Sequence, residues 1–179
     1  MISISEIKTT APETPLSNME KRVYETLDSL EIPYERVEND VVETMEECVE
    51  VDRALGAEIR KSVFLTNKKK TEFYLLVLPA AKPFDAEEFM DQIGCTKPSF
   101  ATGEQMIKLL GVAPGTAGVM SLMNDEDGRV ELMIDREVAN DEWFACNACD
   151  NRSHLKIKTR DLLRKLLPHI NHRPTIIEL

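Results

Sequence analysis

The chain of 179 residues predicts an α+β fold: a single domain whose mixed, mainly antiparallel, curved sheet is flanked by helices. Three observations carry this prediction. Capped helix starts at Ser17, Thr44, Asp85 and Thr102 are interspersed with pairs of apolar strands, without the regular strand–helix alternation of a parallel α/β sheet. No internal repeat, low-complexity tract or linker divides the chain. Its length suits one sizeable core.

Residues 1–16 are polar, contain Pro12 and Pro15, and are expected to form a poorly ordered leader; the domain is expected to span 17–179. Ser17 or Asn18 caps a helix to about Leu30, with Met19, Val23, Leu27 and Leu30 at helical spacing. Pro33 ends it, and Tyr34 to Val37 reads as a short strand. Thr44-Met45-Glu46-Glu47 is a capping box that opens a second helix, closed near Gly56. The segments 60–66 and 72–78 read as two antiparallel strands buried on both faces, with the lysines 68–70 as a solubilising tip. Asp85 caps a helix to about Gly94, and Ser99-Phe100-Ala101 is a short strand. A second capping box, Thr102 to Gln105, starts a helix that ends at Gly111.

The stretch from Leu110 to Asp135 organises the remainder. Pro114-Gly115 is a type II turn signal, proline fixing φ and glycine supplying the positive φ. Asp127-Gly128 is expected to reverse the chain between two apolar strands, making a hairpin. A glycine-proline loop can leave backbone N–H groups pointing outward together, which suits a carbonyl or phosphate oxygen; it can equally be a tight turn and nothing more. Residues 136–152 look irregular or weakly stranded. Leu155 to Lys158 is a strand, Thr159 caps a helix to Leu167 terminated by Pro168, and Ile176 and Ile177 add an edge strand.

Composition narrows the function. No apolar run reaches the roughly 20 residues that span a bilayer and no signal-peptide pattern opens the sequence, so a cytoplasmic protein without membrane attachment is expected. The net charge is −10, with 15 Lys and Arg against 30 Asp and Glu over residues 1–150, but 7 against 2 over residues 151–179. An acidic body argues against sequence-independent gripping of a nucleic-acid backbone. It leaves room for docking a nucleic-acid end on a local basic patch, for which Arg152, Lys156, Lys158, Arg160, Arg164, Lys165 and Arg173 are available; a solvated C-terminal helix face explains most of the same charges. The four cysteines include Cys146-Asn147-Ala148-Cys149, a spacing used in redox pairs and half-zinc sites. It lacks both a thioredoxin-like frame and a second pair, so no metal or cofactor is expected. Phosphate-loop and nucleophile-elbow motifs are absent. His169 and His172 read as surface residues.

The run Ala57 to Leu65, followed by the strand Phe73 to Leu78, resembles the strand pair of the YbaK-type aminoacyl-tRNA deacylases. Asp91 to Gly94, Pro98 to Ala101, Leu109 to Gly115 and Leu122 to Asp125 fall in that family's order and spacing. The likeness covers roughly residues 18 to 167 and is nearest the prolyl-tRNA-editing branch, the ProX or prolyl-tRNA synthetase-associated domain proteins. The resemblance implies a single α/β domain that hydrolyses the ester of a mischarged aminoacyl-tRNA, most often Ala-tRNA(Pro), in trans and without a metal. It implies the tRNA acceptor end as partner, with prolyl-tRNA synthetase as a second one. The family's lysine maps onto Lys61, its glycine-proline loop onto Gly111, Pro114 and Gly115, and its downstream asparagine onto Asn147. Lys61, Gly115 and Asn147 are thereby implied as catalytic, with the substrate's ribose hydroxyl assisting. Ser62, Gly111, Pro114 and Trp143 are implied as substrate-binding.

Departures from the pattern bear on specificity. Ser62 stands where the family has asparagine, Trp143-Phe144 replaces a histidine-proline pair, and Asn147-Ala148-Cys149-Asp150 replaces an Asn-Thr-Ala-Thr run. Trp143 either reshapes the pocket or is an ordinary core aromatic. The alternative function is a catalytically weak or inactive homologue, a binding module for a small molecule or a protein.

Overall fold

The computed structural model describes residues 2–179. Helix α1 (Asn18–Ser29) starts where Ser17 accepts a hydrogen bond from Glu20 N at 3.0 Å. It leads into strand β1 (Glu35–Glu38) and helix α2 (Met45–Leu55), whose capping box on Thr44 and Glu47 forms as predicted and whose end is Gly56 in the left-handed conformation. Strands β2 (Lys61–Thr66) and β3 (Phe73–Leu78) pair antiparallel, as predicted, around the exposed lysine tip, with Lys61 opposite Leu78 and Thr66 opposite Phe73. Helix α3 (Ala86–Ile93), strand β4 (Ser99–Phe100) and helix α4 (Gly103–Leu110) follow, the helices capped by Asp85 and Thr102.

The predicted hairpin across Asp127-Gly128 does not form. The apolar run is a 3-10 helix, Val119–Asn124, and strand β5 (Val130–Asp135) lies parallel to β3. Five of the six residues of that 3-10 helix are buried, so the run shows no alternation to mark it as strand or helix. Local hydrogen bonding favours the helix: Ser121 Oγ donates to Gly118 O at 2.6 Å, and the Asp125 carboxylate collects the N–H groups of Arg129 and Val130.

Residues 136–152, expected to be irregular or weakly stranded, are mostly regular. They form helix α5 (Arg136–Asn140) and strand β6 (Trp143–Asp150), which pairs antiparallel with β7 (Ser153–Lys158). A helical stretch then covers 159–169, π-helical over Leu162–Leu166, and Pro168 sits inside its last turn instead of terminating it. Proline is accepted there because a π turn precedes it and the helix ends one residue later. Strand β8 (Thr175–Ile177) is the predicted edge strand, parallel to β5. His172 is buried, not superficial: its Nε2 meets Asp125 Oδ2 at 2.9 Å and ties the C-terminal segment to the β5 turn.

The strands make two sheets, ordered β1-β7-β6 and β4-β2-β3-β5-β8. The main core, including Tyr24, Phe64, Leu75, Leu132, Phe144 and Leu155, lies between them with α1. A second cluster around Phe89 packs α3 on the outer face of the larger sheet, and a third packs α2 on the smaller one. Part of the leader expected over 1–16, residues 3–10, is laid along β1. Ser5 N and Lys8 N donate to Glu38 O and Arg36 O at 2.8 and 2.9 Å, and Arg36 Nε donates to Thr10 O at 2.6 Å. An unpaired β1 edge offers those backbone partners, which outweigh the segment's polar composition.

Arg60 joins the sheets at the site described next. Its backbone N–H donates to Ala145 O at 2.9 Å, and its buried guanidinium bridges Glu58 and Asp141 at 2.6 Å each while donating to Trp143 O at 3.1 Å. The start of β2 is thereby fixed against β6. Among the described residues no helix is long and apolar enough to cross a membrane.

Candidate active site

Where β2 begins beside β6, a cleft of about 190 Å³ opens between the two sheets. Its walls come from four places: the segment leading into α2 (Val42, Thr44), the start of β2 (Lys61, Ser62), the loop Gly115 to Gly118, and the β6–β7 face (Asn147, Asn151, His154). Lys61, Ser62, Gly115 and Asn147, which are separated by up to 86 positions in sequence, therefore meet in one place.

The loop adopts the predicted type II turn. Thr116 N donates to Ala113 O at 3.1 Å across Pro114 and Gly115, and Gly115 takes φ +88°, which an L side chain resists. The N–H groups of Thr116 and Gly118 are occupied, by Ala113 O and Ser121 Oγ; those of Gly115 and Ala117 donate to no protein group among the described residues. Two amides are thus free beside a small cavity, an arrangement suited to an oxygen that gains negative charge.

Gly111 and Pro114 do not line the cleft; they shape the loop. Gly111 ends α4 at φ +65°, and a methyl group there would stand 2.4 Å from Asn124 Nδ2, which donates to Leu110 O at 2.8 Å. Pro114 packs on Gly103 at the start of α4, where an added methyl would be 2.9 Å from its Cγ.

Strand alternation puts Ser62 on the Phe64 face, towards Gly118, and Lys61 on the Val63 face. Lys61 consequently reaches the cleft at its rim, and its ammonium donates to the carbonyl of Lys82 instead of pointing straight across at Gly115. Lys82 is itself held by Asp135 at 3.0 Å and Glu137 at 2.8 Å, so the carbonyl that anchors Lys61 is fixed. Partial burial lowers the proton affinity of Lys61.

Trp143 is outside this cleft. It shares the face of Asn147 but lies four residues along β6, about 13 Å away at strand rise. There its ring borders a separate groove with Tyr34 and Arg160, and the ammonium groups of Lys158 and Lys156 lie 3.9 and 4.5 Å from its centroid. Cation–π contact and partial burial account for it without a substrate.

His154 and Asn151 line the cleft; the sequence offered His154 only as a neighbour of the Cys146-to-Cys149 pair and did not single out Asn151. A lone histidine within an apolar strand reads as core, and its position here depends on a partner, Asn39, that is distant in sequence. Burial pushes the imidazole down to about 4. The Asn151 amide nitrogen lies 3.6 Å from where a Gly115 methyl would be. The cysteine pair carries no comparable chemistry. Cys146 and Cys149 are free and buried, burial raises both thiols (Cys149 to about 12), and the described residues contain no cluster of three or more groups able to hold a metal.

The family model of the aminoacyl-tRNA editing domain matches residues 40–165. The prolyl-tRNA editing protein ProX of Acetoanaerobium sticklandii is 32% identical over 136 residues, covering 76% of this chain and 83% of its own. The prolyl-tRNA synthetase associated domain-containing protein 1 of Danio rerio is 26% identical over 162 residues, covering 89% and 87%. A solved structure described as a candidate trans-editing enzyme for prolyl tRNA synthetase superposes with a TM-score of 0.63 at 17% identity, covering 92% of this chain and 99% of its own; this shows a shared fold. The chain belongs to the aminoacyl-tRNA editing domain family.

Proposed function

We propose that this chain is a trans-acting deacylase that clears mischarged aminoacyl-tRNA, with Ala-tRNA(Pro) as its substrate. The observation that carries the reading is the convergence of Lys61, Ser62, Asn147 and the free amides of the Gly115 turn on one small cleft. An aminoacyl ester is already activated, so the protein needs chiefly to orient it, admit a water and stabilise the oxyanion that forms. In this reading the Gly115 and Ala117 amides receive the carbonyl oxygen. Ser62 and Asn147 bound the acyl pocket, and Lys61 holds the terminal adenosine from the rim. The attacking water is assisted by the hydroxyl next to the ester on the substrate's ribose. Selection of an alanyl group over a prolyl ring at this cleft would be a steric sieve of the kind that editing sites use. Prolyl-tRNA synthetase, which makes the mischarged product, is the matching partner.

Replacing Lys61 tests the assignment. Lys61→Ala should reduce single-turnover hydrolysis of Ala-tRNA(Pro) by about tenfold to a hundredfold, the cost of one charge-assisted hydrogen bond, with unchanged circular dichroism. An unchanged rate would remove Lys61 from the mechanism.

A further inference from the structure

The hydrogen bonds around His154 determine which ring nitrogen carries its proton. Asn39 Nδ2 donates to two backbone carbonyls, Asp40 O at 2.7 Å and Asn151 O at 3.0 Å. Carbonyls only accept, so the orientation of the Asn39 amide is fixed and its Oδ1 is the atom 2.8 Å from His154 Nδ1. An amide oxygen cannot donate; Nδ1 must therefore bear the hydrogen. Burial keeps the ring neutral at physiological pH, which leaves Nε2 with a bare lone pair. Nε2 has no hydrogen-bond partner among the described residues, and it is not one of the sealed, unpartnered polar atoms of the interior; it reaches the cleft that His154 lines.

A donor stands beside it. Asn147 is the cross-strand partner of His154 and also lines the cleft. Its Oδ1 accepts from Cys149 N at 2.9 Å, and a backbone N–H only donates, so the free end of this amide is Nδ2. The wall thus presents one acceptor and one donor side by side. An ammonium group would satisfy His154 but oppose Asn147, and a carbonyl would do the reverse. A hydroxyl satisfies both through a single oxygen.

We propose that His154 is a positioning residue whose Nε2 accepts a hydrogen bond from the ribose hydroxyl next to the ester, while Asn147 Nδ2 donates to the same oxygen. This rests on the deacylase reading and deepens it: the pair orients the hydroxyl that assists the attacking water. Asn39 serves at one remove, by holding the tautomer.

The test uses RNA stems that end in 3′-alanylamido-3′-deoxyadenosine, which cannot be hydrolysed, with the 2′-hydroxyl or without it. Wild-type protein should bind the hydroxyl form about tenfold more tightly, the worth of a net hydrogen bond or two. His154→Phe should cut that preference to about threefold, the share left to the Asn147 hydrogen bond. An undiminished preference in His154→Phe overturns the proposal while leaving the deacylase reading intact; failure of wild type to bind either stem overturns both. Long-range ¹H–¹⁵N spectra of the wild type give a readout that needs no variant: a proton on Nδ1 and none on Nε2 is required. Asn39→Ala should free the ring to exchange tautomers, and a proton on Nε2 in the wild type would refute the proposal outright.

Discussion

Two glycines of one loop should respond to the same substitution in opposite ways. At Gly115, φ +88° imposes on alanine a left-handed penalty of roughly 1–2 kcal/mol. The new methyl would be 3.6 Å from Asn151 Nδ2, an ordinary contact, so sterics add nothing. The loop would relieve the strain by turning the 115 and 117 amides away from the cleft. Loss of one oxyanion donor costs roughly 10²–10³ in rate. At Gly111 the φ penalty is of the same size, but the methyl would stand 2.4 Å from Asn124 Nδ2 and displace the amide that caps Leu110 O. Adding about 1 kcal/mol for that hydrogen bond gives roughly 2–3 kcal/mol. For a chain of this size that lowers Tm by roughly 5–10 °C. The assay is single-turnover deacylation of Ala-tRNA(Pro) beside thermal unfolding. Gly115→Ala should lose rate with little loss of Tm, and Gly111→Ala should lose Tm while the folded fraction keeps its rate. Near-normal rate in Gly115→Ala would refute the oxyanion role of this loop.

Arg60→Met should destabilise by roughly 2–3 kcal/mol, at or just below the cost of breaking a buried ion pair, because the Glu58 and Asp141 carboxylates are 39% and 49% exposed and regain water. Urea unfolding measures it, and loss of under 0.5 kcal/mol would deny Arg60 its role as the clamp between sheets. His154 sets a pH dependence. Its folded value, near 4, lies below the ordinary 6.5, so between those values the unfolded chain binds more protons. Its contribution is complete above pH 6.5 and declines by about 1.4 kcal/mol per unit as pH falls towards 4, to a total of about 3 kcal/mol. Urea unfolding at pH 7 and pH 4.5 should show that decline, and His154→Phe should flatten it; equal slopes in the two proteins would mean that the ring is not buried neutral.

Much of this fold is written in local chemistry. Ser17, Thr44, Asp85 and Thr102 each satisfy orphan N–H groups by a side chain three residues or fewer away, so four helix starts could be read directly. The β2–β3 pair is equally local. Elements defined by distant partners were not legible: β5 joins β3 across more than fifty residues, and β6 carries a bulge with Cys149 at φ +65° that breaks its alternation. The candidate site divides in the same way. Lys61, Ser62, Gly115 and Asn147 came from a family pattern and meet in one cleft. Trp143 came from position in that pattern, and four residues of strand carried it too far away. His154 owes its place to Asn39, and Asn151 to Asn39 and Val42, which donate to its carbonyl; no spacing reveals these partners.

The most direct measurement is single-turnover hydrolysis of tRNA(Pro) charged with alanine, cysteine, serine or proline, each compared with its loss in buffer. If the cleft is the proposed editing site, Ala-tRNA(Pro) is cleared fastest and Pro-tRNA(Pro) is spared. Buffer-level loss of all four, or equal hydrolysis of the alanyl and prolyl esters, would contradict it.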